Sequence, residues 1–164
     1  MQQFLIPGLL WFSAVGCGLI AGLYFAFSAF IMTALGRISQ TAGISAMNAI
    51  DAEIVRSLFM PVFLGTTLTS AALAALALLR WDEPGAMAML AGGVLYVVGM
   101  FFVTMVFNVP LNNALAAVDP SSPDAASLWA RYLTDWTFWN HVRTAASTGS
   151  FALFVLALIL RGAQ

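Results

Sequence analysis

From Phe4 to Leu35 the chain carries no charged side chain, and no other feature narrows its folds so sharply. As a helix rising 1.5 Å per residue, this stretch is longer than a bilayer core of about 30 Å. It is therefore expected to tilt, bend or project beyond the membrane. A secretory leader is the competing reading, but no basic segment precedes the run and it is too long for a leader's apolar core. It is read as a retained first span, 4–35. Ala14, Gly18, Gly22 and Ala26 recur every four residues along it, a stripe on which a neighbouring helix can pack. Packing within the chain is the favoured use, because three further spans need a place to dock; a homo-oligomeric contact is the alternative.

Three more apolar runs follow, at approximately 59–79, 86–107 and 144–160. Composition agrees: 62% of residues are hydrophobic, 8% are charged, and mean hydropathy is +0.93. Soluble domains average roughly 25% charged residues. The chain is thus expected to be a single multi-pass integral membrane domain, 1–164: an all-α, antiparallel four-helix transmembrane bundle. The Arg80–Gly85 segment reads as a tight polar turn with Trp81 at the interface. The two remaining connections are longer. The first holds an amphipathic stretch in which Ile44, Met47, Asp51, Ile54 and Leu58 follow helical spacing. In the second, Ser122 and Pro123 form a helix-start signal for a short interfacial helix over Pro123–Leu133. Pro110 is expected to kink the third helix as it leaves the membrane.

Four crossings place both termini and the Arg80 turn on one side, A, and both long connections on the other, B. The unusual polar residues belong to side B. Trp136, Asn140 and Arg143 fall on one helical face at about 100° per residue, and His141 points a quarter turn away. Asn108 and Asn112, four apart, share a face around Pro110. Tyr24, Phe25, Phe27 and Phe30 of the first span, Phe59 and Phe63 of the second, and Phe101, Phe102 and Phe107 of the third are placed with Trp136 and Trp139 to line an aromatic cavity, although an aromatic belt with ordinary core would use the same residues. Two uses are open for Arg143, snorkelling to the interface or facing a cavity, with Asp51 or Asp135 as its counter-charge. The side on which B lies stays open: a count of arginines favours the cytoplasm only if Arg56 and Arg143 are topology signals.

Several chemistries are disfavoured. Net charge is −1 and lysine is absent, so no basic stripe speaks for nucleic acid. His141 is the only histidine, and Asp51 and Glu53 diverge on a helix, so neither a zinc triad nor a two-histidine haem site can be assembled. Cys17, the only cysteine, reads as a buried inert thiol. There is no nucleophile elbow and no phosphate loop. The spans as drawn lack the deep charges of pumps and channels.

Four segments resemble a known family: Gly22-Leu23-Tyr24-Phe25-Ala26-Phe27-Ser28, Ala46-Met47-Asn48-Ala49-Ile50-Asp51, Asn108-Val109-Pro110-Leu111-Asn112-Asn113, and Trp136 to Thr144 preceded by Trp129 and Tyr132. In combination they are similar to the anthrone-oxygenase-like family of small four-helix membrane proteins, over nearly the whole chain. The chain departs from that pattern at Asp51, where the family often has asparagine. The resemblance implies cofactor-independent oxygenation of a flat anthrone or phenol with molecular oxygen, and a multi-pass location expected to be the bacterial inner membrane. On that footing Arg143 is expected to stabilise an oxyanion, and Asn108, Asn112 and Asn140 to position a carbonyl or hydroxyl. Asp51 or His141 would be the base, with Trp136, Trp139, Tyr24 and Phe27 around the ring. The rival expectation is a non-enzymatic membrane protein that binds a quinone, lipid or partner helix in the same cavity.

Overall fold

Five helices make up the computed structural model, which describes residues 2–162. Four are long and apolar enough to cross a membrane: α1 (Leu5–Leu35), α3 (Phe59–Leu79), α4 (Ala86–Ala117) and α5 (Pro123–Gly162). The fifth, α2 (Gln40–Arg56), lies in the first long connection and is capped by the Ser39 hydroxyl, which accepts from the Ala42 amide. The long helices run up and down in a closed square, α1 beside α3 and α5, and α4 beside α3 and α5. The protein is an all-helical, integral membrane four-helix bundle.

The third and fourth helices extend beyond the spans expected for them. α4 continues through Pro110 to Ala117, and the expected interfacial helix at Pro123–Leu133 is continuous with the fourth span as one 40-residue helix. Both continuations pass through π-helical turns, Thr104–Asn108 in α4 and Tyr132–Trp136 in α5. In the first of these the Val109 amide reaches back to the Thr104 carbonyl, so the backbone register is already loosened before Pro110. The proline then stands at the start of the next α-helical stretch, where its missing N–H is tolerated. α1 has a comparable turn at Phe27–Ile31.

Measured from their side-A ends, Tyr24, Phe59, Thr104 and Arg143 all lie about 27–30 Å along their helices, near the expected bilayer boundary. Below that level is a membrane core that includes Leu10, Ile20, Leu73, Met89, Tyr96, Met100 and Phe154. Above it, the ends of α1, α4 and α5 join α2 in a cap with its own core of Ile44, Met47, Leu111, Leu115, Trp129 and Tyr132.

Helix contact within the bundle rests on small residues, and the expected stripe takes part through Ala14 and Gly18 but not Gly22. Gly18 meets Phe151, whereas a side chain at Gly22 would touch nothing. The closest approaches are at Gly16, over Thr66, and at Gly93, over the Ser70 carbonyl and Ala74. Because a Cβ at Gly93 would collide with backbone, Gly93→Ala is expected to destabilise the protein by about 1–3 kcal/mol, read as a lower thermal midpoint in detergent. At the side-A turn, Gly85 adopts φ +79° against the Ala157 backbone, a conformation that favours glycine. Glu83 binds Arg80 at 3.0 Å and Arg161 at 2.7 Å, and the Arg161 hydrogen bond above all holds its carboxyl below the usual range.

Candidate functional site

Between the two cores lies a cavity of about 270 Å³, at the small end of ligand pockets. Its walls draw on every helix: Tyr24 and Phe27 from α1, Met47, Ile50 and Asp51 from α2, Phe59 and Phe63 from α3, Thr104 and Asn112 from α4, Trp136 and Arg143 from α5. Val55 and Met105, 59% and 47% exposed, flank its mouth between the end of α2 and α4. The lining is mostly apolar, and its polar groups are few and concentrated.

Arg143 dominates the chemistry. It is 4% exposed and so does not snorkel to the interface. Its guanidinium lies over the rings of Tyr24 and Trp136, 4.2 and 5.0 Å from their centroids, where cation–π attraction offsets part of the desolvation cost. One terminal nitrogen donates to Asn140 Oδ1 at 2.8 Å and the other to Thr104 Oγ1 at 3.4 Å. Its Nε is buried and has no partner, and among the described residues no carboxylate comes within ion-pair distance. Asp135 pairs instead with Arg131 at 3.0 Å, and Glu53 with Arg56 at 3.9 Å in solvent. A buried cation with a vacant donor favours an oxygen acceptor supplied from the cavity.

The amides act on the protein. Asn140 donates to the Tyr24 carbonyl and to Ser28 Oγ, each at 2.8 Å, while its own oxygen holds Arg143. Asn108 is buried and donates to the Trp136 carbonyl at 3.1 Å, at the end of a π-helical turn. Both satisfy backbone that the irregular helix leaves available, and neither lines the cavity. The expectation that they position substrate directly is revised: Asn140 orients the guanidinium, and Asn108 ties α4 to α5.

Asn112 does reach the wall. Its Nδ2 donates to Asp51 Oδ1 at 2.7 Å, bridging α4 to α2. Burial raises the Asp51 carboxyl above its ordinary value, opposed by the Asn112 hydrogen bond and by the positive Arg143. Of the two expected bases, Asp51 lines the cavity, whereas His141 is on the exposed face of α5 and outside it. Trp139 is also outside. It stacks on Phe107 at 3.6 Å and 7° and lines an outer groove with Arg131 and Asp135.

Six of the ten expected site residues therefore converge: Tyr24, Phe27, Asp51, Asn112, Trp136 and Arg143. Phe59 and Phe63, expected among the cavity aromatics, line it too, whereas Thr104 and the α2 residues Met47 and Ile50 were not anticipated. Thr104 had one usable signal, being the only hydroxyl between Tyr96 and Asn108.

A four-span membrane bundle whose interfacial cap encloses an aromatic pocket around a buried arginine defines the class. The model of the anthrone oxygenase family matches residues 56–153, and the chain belongs to that family. The match includes Asn108, Asn112, Trp136, Asn140 and Arg143, while Tyr24, Phe27 and Asp51 precede it. No curated protein and no solved structure matches the chain.

Proposed function

We propose that the cavity takes a flat, lipid-soluble anthrone or related phenol and promotes its oxygenation by O2. The observation that carries this reading is the Arg143 guanidinium, held over the rings of Tyr24 and Trp136 with an unpartnered Nε among the described residues, in a cavity whose lining is mostly apolar. That arrangement suits a delocalised oxyanion attached to an aromatic system.

Asp51 takes a proton from the substrate methylene, and Arg143 stabilises the resulting negative charge on the ketone oxygen. The electron-rich anion passes one electron to O2. The carbon radical and superoxide then couple, forming a C–O bond and a peroxide. Loss of the second methylene proton with O–O cleavage leaves a quinone carbonyl, and the departing oxygen collects protons to become water. One O2 is consumed, one of its atoms entering product and the other water.

The test is oxygen uptake by detergent-purified protein with a panel of anthrones and hydroquinones. Uptake in proportion to substrate, with quinone formed one for one, is the expected result. Saturable binding without uptake would replace this reading with that of a membrane protein that binds a quinone or lipid.

A further inference from the structure

We infer that Asn112 is a positioning residue for Asp51, locked in one orientation by Tyr132 and Trp136, so that Asp51 offers its second oxygen to the cavity. The inference rests on the reading of Asp51 as the base. Asn112 Oδ1 accepts from Tyr132 Oη and from Trp136 Nε1, each at 2.8 Å. An indole N–H can only donate, so the amide oxygen must face it and the amide nitrogen must face away. That nitrogen meets Asp51 Oδ1 at 2.7 Å. Both acceptor directions of the Asn112 oxygen are thereby used, and a 180° flip would set the NH2 group against the indole N–H and the amide oxygen against the Asp51 carboxylate.

Beyond its packing in the cap core, Tyr132 makes one polar side-chain contact among the described residues. It is fully buried and absent from the cavity wall, its ring stacks between Trp129 and Trp136 at 5.7 Å from each, and its hydroxyl bonds only to Asn112. Asp51 Oδ2 makes no hydrogen bond among the described residues, and the residue lines the cavity. Three segments of the cap thus converge on one carboxylate oxygen and leave the other for substrate.

The ionisable groups facing Asp51 are few. Arg143 and Tyr132 face it from α5. Neither α3 nor the end of α4 brings a charged group, and Tyr24 of α1 lies against the guanidinium. On α2 itself, Glu53 and Arg56 are exposed and pair with each other. The amide bridge is therefore a main local control on the proton affinity of Asp51.

The experiment is an infrared titration of the Asp51 carboxyl band in the full-length protein, assigned by its loss in Asp51→Asn, with the pH profile of oxygen uptake recorded in parallel. Asn112→Leu is expected to move the midpoint up by about one pH unit, and the near-isosteric Tyr132→Phe to move it up by less. The acid limb of the activity profile should follow. A midpoint unmoved in Tyr132→Phe and in any folded Asn112 variant would overturn the inference and leave the network a structural one. If the midpoints rise but neither wild type nor variants consume oxygen, the positioning stands and the catalytic reading of Asp51 falls.

Discussion

Arg143→Leu is expected to fold at least as stably as the wild type and to lose about 10²–10³-fold in kcat/KM for oxygen uptake. The activity loss is the usual consequence of deleting one preorganised donor to a developing oxyanion. The stability follows from a different balance. Among the described residues no carboxylate lies at ion-pair distance from Arg143, so its desolvation is offset by hydrogen bonds to Asn140 and Thr104, by two aromatic faces and by the more distant charge of Asp51. Removing a buried cation that no carboxylate neutralises at ion-pair distance relieves that desolvation, which is expected to outweigh the loss of the Asn140 hydrogen bond. A thermal midpoint in detergent that falls by many degrees would make Arg143 structural and remove the main support for an oxyanion site. Arg143→Lys should restore little activity, because a single ammonium lacks the planar fork that reaches Asn140 and Thr104 together.

Asp51→Asn carries the second large effect, with activity and stability moving in opposite directions. Loss of a positioned base should cost about 10²–10⁴-fold in turnover, while the bridge from Asn112 can persist to the new amide oxygen. Wild-type turnover should rise with pH through the elevated Asp51 value and then level. For stability the sign reverses: a carboxyl raised in the folded state contributes fully below the unfolded value of about 3.9, and that contribution is lost as pH climbs through the folded value. At neutral pH the ionised, half-buried carboxylate is therefore a net cost, and the asparagine variant should melt at or above the wild type. The comparison is a pair of melting curves, at pH 7 and near pH 4, beside a pH–rate profile. Equal turnover in the two proteins would exclude Asp51 as the base.

What could be read from the sequence divides along one physical line. Features within a single helix were legible. Uncharged runs gave four spans, and helical periodicity put Trp136, Asn140 and Arg143 on one face, which the structure buries, and His141 off it. Features that depend on two helices meeting were not. Nothing in the local pattern joins Asp51 to Asn112 across 61 positions, or places Trp139 on Phe107 outside the cavity. That the third and fourth helices run on beyond their expected spans was missed for a related reason. Asn108, Trp129 and Trp136 look like the polar and aromatic signature of a helix leaving the bilayer, yet each is buried inside the cap. The π-helical turns at Phe27–Ile31, Thr104–Asn108 and Tyr132–Trp136 add to this, because each slips the register that a 3.6-residue period assumes.

The cavity follows the seam between two separate hydrophobic cores, one within the bilayer and one above it. Such a chain has two cooperative units that can open on different free-energy scales, with the smaller cap the readier to open. A molecule lodged in the seam touches both and binds only when both are closed, so it links their equilibria. At a hundredfold excess over its dissociation constant, that linkage is worth about 2.7 kcal/mol. Occupancy thus acts on the protein's own cohesion as a removable cross-link: the empty form loosens first at the cap, and the filled form behaves as one body.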